Sequence, residues 1–296
     1  MPSILSNLSY QYKLRTNAKD DLKTQLSRSN HGDPRYMTPP EAFRKRYTVE
    51  ADSCLERPVY YLDFSRAADA PCVLYFHGGA FLTGLIKKHW KLCDSILKGT
   101  ACPVVVPDYP LIPEHTCLQT LRFCMTLYED LIRRCPRGVI LMGDSAGANL
   151  ALAVAQNAKK AGLLAPKKLL FLSPFLDATG DNPVKNVLSR RDPILEPDGG
   201  REAALLYAGS LPLSDPRVSP LFGSMRGLPP VSIWTGDNDM LYADALQLRQ
   251  KLHNAHVPYH LYTYPGMVHD WMLEALPEAK KAVKQILSEI RLVYEI

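Results

Sequence analysis

Val139-Ile140-Leu141-Met142-Gly143-Asp144-Ser145-Ala146-Gly147-Ala148 is the stretch that decides how the rest of the chain is read. Four apolar residues in a row have the character of a buried strand, and residues 146–161 are rich in Ala and Leu, with Gly162 placed to end a helix. A serine stands between the two on a sharp turn. Glycines at 143 and 147 keep that turn free of Cβ atoms that would strike the adjoining strand or helix, and so let the serine adopt a strained backbone. Its hydroxyl is then presented at the positive end of the helix, where a developing negative charge is favoured. A bare Gly-x-Ser-x-Gly is short and common, so its meaning depends on whether the chain supplies an acid, a base and an oxyanion cradle at matching places.

Outward from this turn, strand candidates recur at residues 72–76, 103–106, 139–142, 169–172, 231–234 and 259–264. Most are continuously apolar, as expected of parallel strands covered on both faces. Helical segments fall between most of them, at residues 88–98, 115–134, 145–161, 242–254 and 277–294. The alternation predicts an α/β fold, a mostly parallel central sheet flanked by helices and joined by right-handed crossovers. Residues 46–50 and 59–63 are two further β-type runs, spaced as an antiparallel opening pair.

Residues 177–230 break this rhythm, being rich in Pro, Gly and Asp with a short helical piece of their own near 202–209. An insertion this long between core strands is usually functional. Near the N-terminus Leu14, Ala18, Leu22 and Leu26 recur as one helical stripe, and Thr38-Pro39-Pro40-Glu41 has the spacing of a capping box with prolines in the first turn. The expected organisation is an N-terminal cap segment over 1–45, an α/β core over 46–176, a cap insertion over 177–228 and the remainder of the core over 229–296. The two cap pieces would form a lid over the site.

At 296 residues and 46% hydrophobic, the chain can build one large core with an attached cap. No apolar run approaches the roughly 18 residues of a membrane span, and residues 1–14 lack the apolar block of a secretory signal, so a cytoplasmic protein with no membrane span is expected. Seven cysteines, with no Cys-x-x-Cys pair, sit mostly in apolar strands or on helix faces, which suits reduced core thiols better than a disulfide framework. The net charge of +5 is dispersed over small groups such as Arg44-Lys45-Arg46, Lys87-Lys88 and Arg133-Arg134, and no nucleic-acid partner is expected. His253, His256 and His260 have no accompanying cysteine or ligand pattern, so no metal is expected there.

A serine hydroxyl is a poor nucleophile until a base takes its proton, and a carboxylate must hold that base in the right tautomer. Thr235-Gly236-Asp237-Asn238-Asp239 follows the strand that ends at Trp234, which brings Asp237 or Asp239 to the C-terminal edge of the sheet, where open α/β sheets bind ligands. Pro265-Gly266-Met267-Val268-His269 follows the next strand at the same edge, making His269 the candidate base. His77-Gly78-Gly79-Ala80 directly follows the strand at 72–76, and two successive glycines let backbone N–H groups approach a substrate oxygen. The N–H groups of Gly78, Gly79 and Ala146 are the expected oxyanion donors.

Taken together, His77-Gly78-Gly79-Ala80-Phe81, Asp108-Tyr109-Pro110-Leu111-Ile112-Pro113-Glu114-His115, the turn at Ser145, Ser219-Pro220-Leu221, Asp239-Met240-Leu241 and His269 resemble the hormone-sensitive-lipase-like carboxylesterases of the α/β-hydrolase superfamily. The resemblance runs from about residue 72 to the end, and the chain order serine, acid, histidine is that of the superfamily. It implies the α/β-hydrolase fold with a helical cap, and it selects Asp239 over Asp237 because the family's aspartate opens an Asp-x-Leu unit. It also implies a small-molecule ester substrate with a short to medium acyl chain, an acyl-enzyme intermediate, no metal or other cofactor, and a possible homodimer for which the sequence carries no diagnostic interface. Three positions depart from the pattern: Ala80 replaces the usual third glycine, Pro110 stands where arginine is common, and Ala148 where glycine is frequent. The first is expected to narrow the cradle mouth and the others to alter packing. Glu114 and His115 are read as structural, and Tyr207 and Leu211 as lid residues shaping the acyl and alcohol pockets. An amidase, deacetylase or lactonase with the same triad is the alternative activity. A non-catalytic ligand-binding relative would normally lack a triad member, whereas all three positions are filled here.

Overall fold

The computed structural model describes residues 1–16 and 32–294. Its apolar runs become strands because alternate side chains are buried on opposite faces. In β3 (Cys72–Phe76), Cys72, Leu74 and Phe76 enter one hydrophobic layer while Val73 and Tyr75 enter the other; β5 (Val139–Asp144) divides in the same way. Every residue of β3, β4 (Val104–Pro107), β5, β6 (Lys168–Leu172) and β7 (Val231–Gly236) is buried, the pattern of a sheet enclosed between helices.

With β1 (Val49–Cys54), β2 (Arg57–Leu62) and β8 (Tyr259–Tyr264) the sheet has eight strands in the order β1-β2-β4-β3-β5-β6-β7-β8. The pairs β1–β2 and β2–β4 are antiparallel and all other neighbours are parallel. One face is covered by α4 (Cys117–Arg134), α5 (Ala146–Lys160) and α8 (Tyr242–Asn254), the other by α3 (Lys87–Gly99) and α9 (Pro277–Arg291). Ala279, Ala282, Ile286 and Ile290 of α9 are buried at helical spacing, and each isoleucine contributes about 1.5–3 kcal/mol by leaving water. Twelve of the fifteen residues of α5 are buried, as a helix apolar on every side requires. Because β3, β5, β7 and β8 run parallel, the loops that leave them open on one edge of the sheet.

Several local expectations are corrected. β1 begins at Val49 and its turn is Leu55-Glu56, both with positive φ (44° and 66°), the twist that two-residue hairpins favour. Four of its six residues are exposed, so no apolar alternation marks the strand. Thr38 caps no helix. Residues before a proline are disfavoured in the α region, and Thr38 and Pro39 both precede one; the single-turn α2 (Glu41–Arg44) has Pro40 at its N-cap. Upstream lies α1 (Ile4–Arg15); of the expected stripe only Leu14 belongs to it, and Ala18, Leu22 and Leu26 lie outside the described residues.

Between β6 and β7 the chain forms α6 (Pro183–Leu188) and α7 (Pro197–Ala208) rather than one short piece at 202–209. Pro197 suits the first helical position and Asp198 the positive end, while Gly199 and Gly200, poor helix formers, hide the first turn from a sequence reading. Buried Lys185 of α6 lies 2.7 Å from Asp244 Oδ1 and donates to Asp177 O at 2.7 Å; Asp244 Oδ2 accepts from Leu176 N at 2.8 Å and Asp177 N at 3.1 Å. This cluster ties the segment to α8. From the N-terminal side, Tyr10 of α1 donates to Arg191 O at 3.0 Å.

Candidate active site

Ser145 sits between β5 and α5 with φ 49° and ψ −117°, a sparsely populated backbone conformation that costs about 1–3 kcal/mol and persists only where the surroundings impose it. They do so here: Ser145 N donates to Leu172 O at 2.9 Å and Ser145 O accepts from Phe175 N at 3.2 Å. The turn has no room for side chains on either flank. A Cβ on Gly147 would lie 1.9 Å from Phe76 O, and one on Gly143 would lie 2.2 Å from the Gly147 carbonyl carbon.

Ser145 Oγ is 3.0 Å from His269 Nε2, and His269 Nδ1 is 3.0 Å from Asp239 Oδ2. In its neutral form the imidazole would donate from Nδ1 to the carboxylate and present Nε2 as an acceptor toward Ser145 Oγ. Asp239 is fully buried, and its other oxygen accepts the N–H of Leu241 at 2.8 Å, which fixes the carboxylate in place. Asp237 does something else: its Oδ1 accepts from Gly266 N at 2.5 Å, bracing the loop after β7 against the loop after β8. Three residues separated by up to 124 positions thus meet at one rim of the sheet.

Gly78 and Gly79 border a cavity of about 370 Å³ together with Ser145 and His269. Ala146 borders a second cavity, of about 60 Å³, that also opens at Ser145. As the first residue of α5, Ala146 has an N–H with no intrahelical acceptor. A Cβ on Gly78 would lie 2.3 Å from Asp144 Oδ2, and Gly79 has φ 118°. Ala80 and Phe81 prolong the turn with φ 54° and 60°, so alanine occupies a conformation better suited to glycine, and Ala80 borders both cavities.

A buried polar network underlies this loop. Tyr109 Oη donates to His77 O at 2.6 Å, and the His77 ring stacks against Tyr109 and His89, with centroids 4.3 and 5.6 Å apart. Burial, aided by His89, pushes His77 down to about 3, so it is neutral. Asp144 accepts from Tyr75 Oη at 2.5 Å and faces His89 Nε2 at 3.4 Å. Burial works to raise its pKa but is outweighed by His89 and Tyr75, and the carboxyl stays below its usual range.

Two carboxylates near the site were not anticipated. Asp270 turns back on a left-handed residue (φ 49°), and its Oδ2 lies 3.2 Å from His269 Nε2, beside Ser145. Burial lowers the imidazole's affinity for a proton, but Asp270 first and Asp239 second more than reverse this, and His269 is raised well above the ordinary histidine range. Burial raises Asp270 itself to about 6. Its adjacency to His269 was the only signal in the sequence, and adjacency does not reveal direction. Asp192, between α6 and α7, accepts from Ile194 N at 2.8 Å and Leu195 N at 3.0 Å through Oδ1 and from Met240 N at 2.8 Å through Oδ2. It is 1% exposed, and burial followed by repulsion from Asp239 raises it to about 6. It joins the cavity-lining Ile194 and Leu195 to the loop that bears Asp239.

Tyr207 and Leu211 border neither cavity at Ser145. Tyr207 is fully buried and stacks on Phe81 with centroids 3.6 Å apart, supporting the wall from behind, while Leu195, Ala203 and Ala204 form the wall itself. His260 Nδ1 lies 2.7 Å from Glu289, and among the described residues no group of three or more His, Cys, Asp and Glu is arranged to hold a metal ion. The seven cysteines are unpaired, and all but Cys54 are buried.

Residues 73–273 match the sequence profile described as the alpha/beta hydrolase fold. The chain is 33% identical over 227 residues to an esterase of Acinetobacter venetianus, spanning 75% of each, and 33% identical over 229 residues to esterase LipU of Mycobacterium tuberculosis, spanning 74% of this chain and 77% of that one. A crystal structure of a hormone-sensitive lipase from a metagenome library superposes with a TM-score of 0.84 at 26% identity, covering 98% of each chain. The chain belongs to the α/β-hydrolase family, in its hormone-sensitive-lipase-like branch. It is an ester-hydrolysing enzyme. Among the described residues no helix is long and apolar enough to cross a membrane.

Proposed function

We propose that Ser145, His269 and Asp239 hydrolyse a small carboxylic ester through an acyl-enzyme. The observation that carries this reading is the continuous hydrogen-bonded chain from Ser145 Oγ through both imidazole nitrogens to the Asp239 carboxylate. Ser145 Oγ attacks the ester carbonyl as its proton passes to His269 Nε2. The carbonyl oxygen, now negative, is received by the N–H groups of Gly78, Gly79 and Ala146. His269 returns the proton to the departing alcohol, and water activated by the same nitrogen then releases the acid. Asp239 keeps the imidazole in its productive tautomer and stabilises the imidazolium that forms.

Residues 1–45 and 177–228 act as a cap in this reading, supported by the cavity-lining positions of Lys13, Ile194 and Leu195. The seven unpaired cysteines support a cytoplasmic enzyme. Replacing Ser145 with Ala is expected to lower turnover of a short-chain aryl ester by roughly 10⁴- to 10⁶-fold with unchanged circular dichroism. A mutant that retains wild-type turnover refutes the nucleophile.

A further inference from the structure

A third cavity, of about 420 Å³, does not reach Ser145 and forms a groove between α3 and α9, flanked by residues 272–275. Its lining is segregated. Leu92 of α3, Ala279 of α9 and Met272 are buried and form the floor, and the half-buried Leu273 and Val283 add apolar surface that the protein itself does not cover. Lys88 and Lys91 stand three positions apart on α3, and Lys280 and Lys284 four positions apart on α9. Those spacings keep each pair on one helix face, so ammonium groups approach the groove from both helices.

This charge is left uncompensated by the protein. Glu274 is the one carboxylate among the lining residues, and it is shared by Lys88 Nζ at 2.8 Å and Lys13 Nζ at 3.4 Å. The acids of the two helices are engaged elsewhere: Asp94 with Arg46 and Lys98, Glu278 with Ser3 and Ser6, and Glu289 with Lys168 and His260. Among the described residues no carboxylate forms an ion pair with Lys91, Lys280 or Lys284, all of them exposed.

Like charges gathered along one groove repel one another, and an anion seated among them removes that cost. A hydrocarbon chain attached to the anion gains in addition by leaving water against the floor. A neutral amphiphile would gain only the second term and an inorganic anion only the first. Because Leu92, Met272 and Ala279 are buried below the lysines, a flat bilayer surface would not reach them, whereas a single molecule can. Ester hydrolysis releases a carboxylic acid, ionised at neutral pH, so this enzyme generates molecules of the required class. Groove and catalytic cavity are also neighbours, since Lys88, Leu273 and Glu274 border both.

We infer that the groove between α3 and α9 is a second binding site, for an alkyl carboxylate, with the head group among the lysines and the chain along Leu92, Met272 and Val283.

The test follows the methyl resonance of Met272 in the full chain carrying 13C-methyl-labelled methionine, assigned by its loss in Met272→Leu, during titration with octanoate, octan-1-ol, octylammonium and acetate. Met272 borders the groove and neither cavity at Ser145, so its shift reports the groove. Octanoate is expected to saturate the shift at a concentration about tenfold below octan-1-ol, the combined worth of two or three exposed ion pairs, and acetate and octylammonium are expected to leave the resonance in place. The double variant Lys280→Gln, Lys284→Gln is expected to weaken octanoate about fivefold, to leave octan-1-ol unmoved and to retain wild-type hydrolysis of a short-chain aryl ester. Octan-1-ol or octylammonium binding as tightly as octanoate overturns the inference, as does saturation by acetate. An octanoate affinity unmoved by the double variant also overturns it, because the carboxylate then sits elsewhere. Adsorption of the enzyme to phosphatidylglycerol vesicles without a saturable octanoate shift overturns it in favour of a membrane surface.

Discussion

Replacing Asp270 with Asn removes one negative charge 3.2 Å from His269 Nε2, the nitrogen that takes the serine proton in the proposed mechanism. A full charge at that distance favours the imidazolium by about 1.3 kcal/mol at the dielectric of water and about 5 kcal/mol at an effective value of 20. One pKa unit corresponds to about 1.4 kcal/mol, so the smaller figure already amounts to about one unit. The sign follows from what Asp270 does in the wild type. Its carboxylate raises the pKa of His269, which keeps the imidazole protonated, and unable to act as a base, up to a higher pH. Asn preserves the shape but not the charge. The acid limb of kcat/KM for a neutral alkyl acetate, measured at constant ionic strength, is expected to move at least about one unit to lower pH, with activity on that limb rising about tenfold. A limb that stays within about 0.3 unit of the wild-type position refutes the claim that Asp270 sets the proton affinity of His269.

Asp192→Ala leaves three partly buried N–H groups without their acceptor, those of Ile194, Leu195 and Met240, and is expected to cost about 1–2 kcal/mol in chemical denaturation and to raise KM more than it lowers kcat. Ala80→Gly relieves a left-handed alanine and is expected to leave stability unchanged or up to about 1 kcal/mol higher. Gly79→Ala would instead bring a Cβ to 2.5 Å from Thr83 O and is expected to cost more than about 2 kcal/mol, so equal melting temperatures for the two variants would contradict the loop geometry. Lys185→Met strands the buried Asp244 carboxylate and is expected to destabilise by about 3–5 kcal/mol; a loss under about 1 kcal/mol would show that the cluster is not the tether.

The parts of this enzyme that were legible in the chain are those dictated by local chemistry. Runs such as Val139 to Met142 have no side chain fit for water, so they must be strands or helices buried on both sides, and their alternation with Ala- and Leu-rich segments leaves a parallel sheet between helices. Gly143 and Gly147 could be read as necessary because a sharp turn at Ser145 leaves no room for their side chains, and the contacts at 1.9 and 2.2 Å bear this out. The parallel sense of β5, β7 and β8 then sends Ser145, Asp239 and His269 to a single edge whatever the details of packing.

Contacts made by loops and by polar strands were hidden, because there no periodic apolar pattern records the neighbour. β1 is mostly exposed and α7 carries two glycines in its first turn, so neither advertised its limits. Asp270 stands beside His269 in the chain, yet only a left-handed backbone turns its carboxylate onto the imidazole. Asp192 reaches Met240 across 48 positions, and Tyr207 is aimed at Phe81 rather than at the substrate. The residue order thus determined the sheet, the serine turn and the strand ends from which Ser145, Asp239 and His269 project. Tertiary folding alone decided which charges surround His269 and how large a space lies on either side of Ser145, since electrostatic fields and cavity shapes are set by distances between elements that share no local sequence.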